Sequence, residues 1–258
     1  MRGVALAARE HAAPGGAGAP TQRRDEPIDA ALDARLEAAT PRERLAWAVD
    51  RFGSRLLFTS SFGAGSGVLL HMWSEVAREL PIVFVDTGFL FDETLAYRDR
   101  LVDQLGLRLE IARPETPRDD FIVAHGADVQ ARDPDLCCAL NKVAPLAPWL
   151  TRADAWVSGI RRDQKGDRSN VPILLPSRDG TPLKVHPLAS MTAPDVAAYL
   201  AAHAIPEHPL RARRYLSIGC EPCTRAVADG EDERSGRWAG TAKTECGIHS
   251  ALRPRPAK

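Results

Sequence analysis

The chain has 258 residues, of which 44% are hydrophobic and 26% charged, enough to bury one substantial core. Its formal net charge is zero, so no whole-molecule field draws it to nucleic acid or to an anionic membrane. No stretch approaches the roughly 18 apolar residues of a membrane span, and Arg9 and Glu10 interrupt the N-terminal apolar run too early for a signal peptide. A cytoplasmic, reducing setting is expected.

Residues 1–28 read as a disordered tail, because their Ala-, Pro- and Gly-rich composition cannot offset ordering entropy by burial. A helix is expected over 29–39. A second follows Thr40, with Pro41 at its first position and Glu43 completing a capping box. An apolar strand over 56–59 ends in the loop Ser60-Ser-Phe-Gly-Ala-Gly-Ser-Gly67, and a helix starts near Val68. The strand over 81–85 ends in Asp86-Thr87-Gly88, and helical spacing runs through 92–105. Strands over 107–111 and 155–160 follow, the second leading at once into Arg161-Arg-Asp-Gln164. This alternation predicts an α/β fold, a doubly wound, mostly parallel sheet with helices on both faces. Every polar motif falls at the C-terminal end of a strand, where such sheets bind ligands. Beyond about 170 the alternation weakens, although Thr192 is placed to cap a helix through 195–202. The reading divides the chain into a tail (1–28), an α/β domain (29–216) and a C-terminal extension (217–258) that ends as a mobile tail.

A Gly/Ser loop between strand and helix offers backbone N–H groups to an anion, although such loops also serve as plain connections. The loop has neither the Gly-Lys-Ser/Thr of a Walker motif nor a dinucleotide GxGxxG, which leaves an adenylate-type mononucleotide. Arg161, Arg162, Lys165 and Arg168 gather cations at the same sheet edge. The five cysteines are the most specific signal. Adjacent Cys137-Cys138 and Cys220-Glu-Pro-Cys223 supply four thiols, the number taken by a tetrahedral zinc or a cubane iron–sulfur cluster. Neighbouring side chains diverge by about 100° on a helix and 180° on a strand, so a site shared by Cys137 and Cys138 is strained. Cys246 stands apart, between Glu245 and Gly247, with His249 three residues on.

Taken together, these motifs resemble the iron–sulfur assimilatory adenylyl-sulfate (APS) reductases of the phosphoadenylyl-sulfate reductase family. The resemblance is carried by Ser61-Phe-Gly-Ala64, Asp86-Thr-Gly88, Cys137-Cys138 with Lys142, Arg161-Arg-Asp-Gln164, Ile218-Gly-Cys-Glu-Pro-Cys-Thr-Arg225, Gly236-Arg-Trp238 and Lys243-Thr-Glu-Cys-Gly-Ile-His249. It implies an adenine-nucleotide alpha-hydrolase-like fold and a 4Fe-4S cluster on Cys137, Cys138, Cys220 and Cys223. It also implies Cys246 as the nucleophile that forms an S-sulfocysteine intermediate, and thioredoxin or a glutaredoxin-like dithiol as reductant. The products it implies are sulfite and AMP. Substrate contacts are expected from Ser60, Ser61, Phe62, Gly63, Ala64, Thr87, Lys142, Arg161, Arg162, Arg168, Arg234, Arg237 and His249. The sequence departs from the family after Phe-Gly-Ala, where Gly65-Ser66-Gly67 replaces the usual acidic pair. Two further readings remain open: a reductase of the 3′-phosphorylated substrate or of both nucleotides, and a zinc-stabilised nucleotide-binding module without catalysis.

Overall fold

Two polar caps start the architecture. Asp29 accepts hydrogen bonds from the Ala31 and Leu32 amides to open α1 (Ala30–Ala38). Thr40 and Glu43 form the expected reciprocal box at the head of α2 (Pro41–Phe52), a device contributing about 1 kcal/mol. The computed structural model describes residues 26–250 apart from Lys165, Arg178 and Asp179. The expected tail up to residue 25, Lys165 of the cation run and residues 251–258 lie outside the described residues.

The chain then runs β1 (Leu56–Thr59), α3 (Ser66–Val76), β2 (Ile82–Val85), α4 (Asp92–Leu105), β3 (Leu109–Ala112), α5 (Arg118–His125), α6 (Val129–Arg132) and α7 (Pro134–Cys138). A π-helical segment, Ala139–Val143, joins α7 to α8 (Ala144–Leu150). After it come β4 (Ala155–Val157), β5 (Leu174–Leu175), β6 (Leu183–Val185), α9 (Ala193–Ala202) and the short α10 (Gly247–Ser250). The sheet order is β3-β2-β1-β4-β6-β5, all parallel except the antiparallel β5–β6 pair. This is the expected mostly parallel, doubly wound fold.

Period-2 alternation distributes the strand side chains between two cores. Leu56, Phe58, Ile82, Phe84 and Val157 pack with buried residues of α1 to α4 and α9. Leu57, Val83, Ala112 and Trp156 face the other way, onto Leu146 and Leu150 of α8. Each buried Leu, Ile, Val or Phe among them contributes about 1.5–3 kcal/mol. The chain lays β1, β2 and β3 to one side and places β4 on the other side of β1. The order therefore reverses between β1 and β4, and a crevice opens there above the strand ends.

Within the described residues Trp238, Glu245 and Gly247 are buried. Packing continues across position 217. Ile218 packs with Ala64, Phe91 and Leu210, and Cys220 with Phe89, Phe121 and Val129.

Candidate active site

The switch-point crevice holds a cavity of about 220 Å³. Its near wall is the loop after β1. There Ser60 Oγ accepts from the Phe62 amide at 3.1 Å and Ser66 N–H donates to the Gly63 carbonyl at 3.0 Å, curling the backbone into a cradle. Ser60, Ser61, Gly63 and Ala64 line it. Phe62 does not. Its φ of 48° turns the side chain down into the core, where it is fully buried edge-on to Phe84 at 5.5 Å. A left-handed φ on a bulky residue is costly. Phe62 serves the site by anchoring the loop rather than by touching a ligand.

The opposite wall follows β4. Ser158 N–H donates to the Val185 carbonyl at 3.0 Å, ending the strand and turning residues 158–161 into the cavity. Arg161 is buried, with its guanidinium against Gly65 and held by Asp163 at 2.9 Å and Glu233 at 3.0 Å. Arg162 points elsewhere: it pairs with Glu37 and donates to the Val171 carbonyl, off the cavity wall.

The C-terminal segment closes the crevice. Arg168 lines the cavity but is forked onto Glu245, with both bonds at 2.7 Å, and Arg234 adds a third at 3.2 Å. Burial opposes the Glu245 charge, but the Arg168 hydrogen bonds and charge outweigh it and hold the pKa at about 2. The Glu245 carboxylate is committed to the two arginines and to the Cys246 amide, 2.8 Å away. Lys243 pairs with Asp135 of α7. At Gly247 a Cβ would stand 2.8 Å from Cys138 Cβ, so only glycine lets the tail lie this close to the cysteine pair. Cys246 is half-buried and lines the cavity with Lys142, Arg237 and His249. Its thiol is held well below the ordinary value by the Cys138 hydrogen bond, against burial, with Lys142 and the Ile248 amide assisting.

The Glu245 clamp is testable. Its folded pKa is depressed, so the pair contributes stability above the ordinary value near 4.5 and loses it as pH falls through about 2. Glu245→Gln strands the buried Arg168 and the half-buried Arg234, a cost on the order of 3 kcal/mol. Hydrogen exchange of residues 241–250 is expected to accelerate in the variant. In the native chain, corrected for intrinsic rates, it should stay flat from pH 5 to 8. Unchanged exchange in the variant would remove the clamp from this account.

A second, smaller cavity adjoins the first. Cys137, Cys138, Cys220 and Cys223 all line it, with Thr87, Phe89 and Asn141. Lys142 lines both cavities. The vicinal pair ends α7 where the backbone widens into the π-helical segment, a rare feature associated with functional sites. Thr87 therefore belongs to the cysteine cavity and not to the nucleotide wall: its Oγ1 lies 3.3 Å from Cys220 Sγ. Asn141 Nδ2 lies 3.7 Å from Cys137 Sγ. Burial and the neighbouring Cys220 and Cys223 push the Cys137 thiol up to about 11, against the Asn141 hydrogen bond and the Lys142 charge. Among the described residues no three His, Cys, Asp or Glu side chains converge as they would on one ion. Four thiols around a common space, one per iron, fit a cubane cluster. At Gly219 a Cβ would overlap the Arg237 guanidinium, which lies across the chain one residue before Cys220.

Four residues that line the first cavity each carry a buried polar atom without a protein partner: Ser158 Oγ, Arg237 Nε, Trp238 Nε1 and His249 Nδ1. Unpaired buried donors are costly and call for a ligand or water. Ser158, Glu233 and Trp238 were not among the expected contacts. Trp238 does fall in a quoted motif, and Ser158 occupies the strand-end position that signals a site in such sheets. Among the described residues no helix is long and apolar enough to cross a membrane.

The phosphoadenosine phosphosulfate reductase domain family matches residues 55–226. The chain is 44% identical over 234 residues to the adenosine 5′-phosphosulfate reductase of Chelativorans sp. (strain BNC1), covering 87% of this chain and 94% of that one. It is 47% identical over 199 residues to the adenosine 5′-phosphosulfate reductase of Mesorhizobium japonicum, covering 77% of each. Among solved structures, the phosphate complex of phosphoadenylyl-sulfate reductase from Candida auris gives a TM-score of 0.67 at 26% identity, over 76% of this chain and 95% of that one. The Candida glabrata FMN adenylyltransferase complex with FAD and pyrophosphate shares the fold alone, at a TM-score of 0.51 and 15% identity over 89% of this chain and 82% of that one.

Proposed function

This chain belongs to the phosphoadenosine phosphosulfate reductase family, and we propose that it reduces adenosine 5′-phosphosulfate to sulfite and AMP in assimilatory sulfate reduction in the cytoplasm, with a dithiol protein of the thioredoxin or glutaredoxin kind as reductant. The observation that carries the reading is the thiol of Cys246 on the wall of the switch-point cavity, beside Lys142 and Arg237.

The Cys246 thiolate attacks the sulfate sulfur. An S–S bond forms, the bond from sulfur to the phosphate oxygen breaks, and AMP leaves with that electron pair. Negative charge grows on the bridging oxygen and the sulfonate, and Lys142, Arg161 and Arg237 are the cavity cations placed to offset it. Arg168 and Arg234 act earlier, by clamping Glu245 and holding the tail shut. One thiol of the partner then attacks the sulfur of Cys246 and sulfite departs. The second partner thiol resolves the mixed disulfide, so the two electrons come from a dithiol that ends as a disulfide. This second half requires the tail to open.

Cys137, Cys138, Cys220 and Cys223 would hold a 4Fe-4S cluster, which when bound ties the end of α7 to the 220–223 loop and adds to the field beside Lys142. A zinc-stabilised, non-catalytic module would show no visible absorbance and no turnover. Residues 217–250 act on this reading as the segment that carries one cluster pair and the nucleophile.

Residues 59–66 of the nucleotide wall contain no Lys or Arg. A 3′-phosphate, carrying up to about two negative charges, has no cation in that loop to meet it. The expected result is at least about tenfold preference for APS over the 3′-phosphorylated nucleotide in kcat/KM, on the order of 1.4 kcal/mol. Steady-state sulfite release from both nucleotides with one thioredoxin measures it. Equal efficiency would make the chain a dual-substrate reductase.

A further inference from the structure

Trp156 is fully buried in the central strand β4 and does not line the nucleotide cavity. Its surroundings nevertheless join both halves of the site. The indole Nε1 donates to Thr59 Oγ1 at 2.8 Å, at the residue where the Ser60 loop begins. The ring carries His249 in a stacked arrangement, with centroids 5.3 Å apart and planes 13° from parallel. Lys184, its partner in register on β6, sets Nζ 5.0 Å from the same ring. His249 N–H donates to the Cys246 carbonyl at 2.8 Å, so the imidazole and the thiol belong to one turn of chain.

From this geometry we infer that Trp156 is a positioning residue: a fixed plate on which His249 seats the last turn, aiming the Cys246 thiol into the cavity. The inference rests on the reading of Cys246 as nucleophile. A stack holds the imidazole by its face and leaves its edge to the cavity, where Nδ1 is buried without a partner. Through Thr59 the same indole braces the nucleotide loop, so loop and tail are registered against one ring. The strength of the contact also suits its task. An aromatic pair shifts an equilibrium by up to about tenfold, enough to favour the closed tail while still letting it open to a dithiol.

Alkylation of Cys246 reads the latch. Cluster-loaded enzyme is treated anaerobically with iodoacetamide, and the Cys246 peptide is followed by mass spectrometry. His249→Ala should be alkylated about tenfold faster than the native chain, whereas His249→Phe, which keeps an aromatic face, should react at the native rate. Trp156→Leu should match His249→Ala, and the double variant should react no faster than either, since each of the three removes the same His249–Trp156 stack. If Trp156→Leu does not fold, the two His249 variants decide. His249→Phe reacting as fast as His249→Ala, or Trp156→Leu reacting at the native rate, would overturn the inference. Alkylation reports closure whether or not Cys246 is the residue that attacks the sulfate, so failure of the latch is distinct from failure of the nucleophile assignment.

Discussion

Cys246→Ser is expected to abolish sulfite release, by at least about 10⁴-fold in kcat, while cluster absorbance and AMP binding remain. The size follows from the chemistry. In covalent catalysis the nucleophile cannot be replaced by better binding, and a serine hydroxyl is not ionised near neutral pH. The pocket otherwise survives, because the tail is also held by Glu245 on Arg168, by Lys243 on Asp135 and by His249 on Trp156. Substantial turnover in the purified variant would mean that another group attacks the sulfate.

Cys223→Ser should produce the opposite phenotype. Three thiolates are a poor cubane host, so the protein is expected to purify without visible absorbance and with little turnover. The loss is also structural. Cys137 and Cys220 pack in one cluster with Phe89, Phe121 and Val129, and the second cavity lies between segments distant in sequence. Without a group to cross-link them, the thermal midpoint should fall by about 5 °C or more. Full iron content and a normal rate in the variant would refute the ligand assignment.

The parts of the fold that were legible in the sequence are those where local signals agree. The apolar runs at 56–59 and 82–85 are buried parallel strands, and Thr40-Pro41-Glu43 and Thr192-Asp195 cap helices as read. Strand β6 was missed because Lys184, a charged residue, occupies its centre and is buried beside Trp156. Strand β5 has only two residues. The helices between 118 and 150 were missed because they are short, and a π-helical segment interrupts their period. Within the site, the cysteines and the strand-end loops could be read from residue type and spacing. Three roles could not. Phe62 is turned inward by a left-handed φ, Arg162 is drawn off by Glu37 from α1, and Thr87 faces a sulfur. Each depends on what lies across the fold, which sequence spacing does not encode. The same holds for the Trp156–His249 stack, whose members are far apart in the chain.

The claim on which the whole account depends is that Cys246 takes the sulfonate. Native enzyme incubated anaerobically with APS and no dithiol, then digested and analysed by mass spectrometry, tests it directly. The account predicts one sulfonate added per chain, on the peptide containing Cys246, and its release as sulfite when thioredoxin is added. A sulfonate found on another residue, or sulfite released with no covalent adduct, would contradict it.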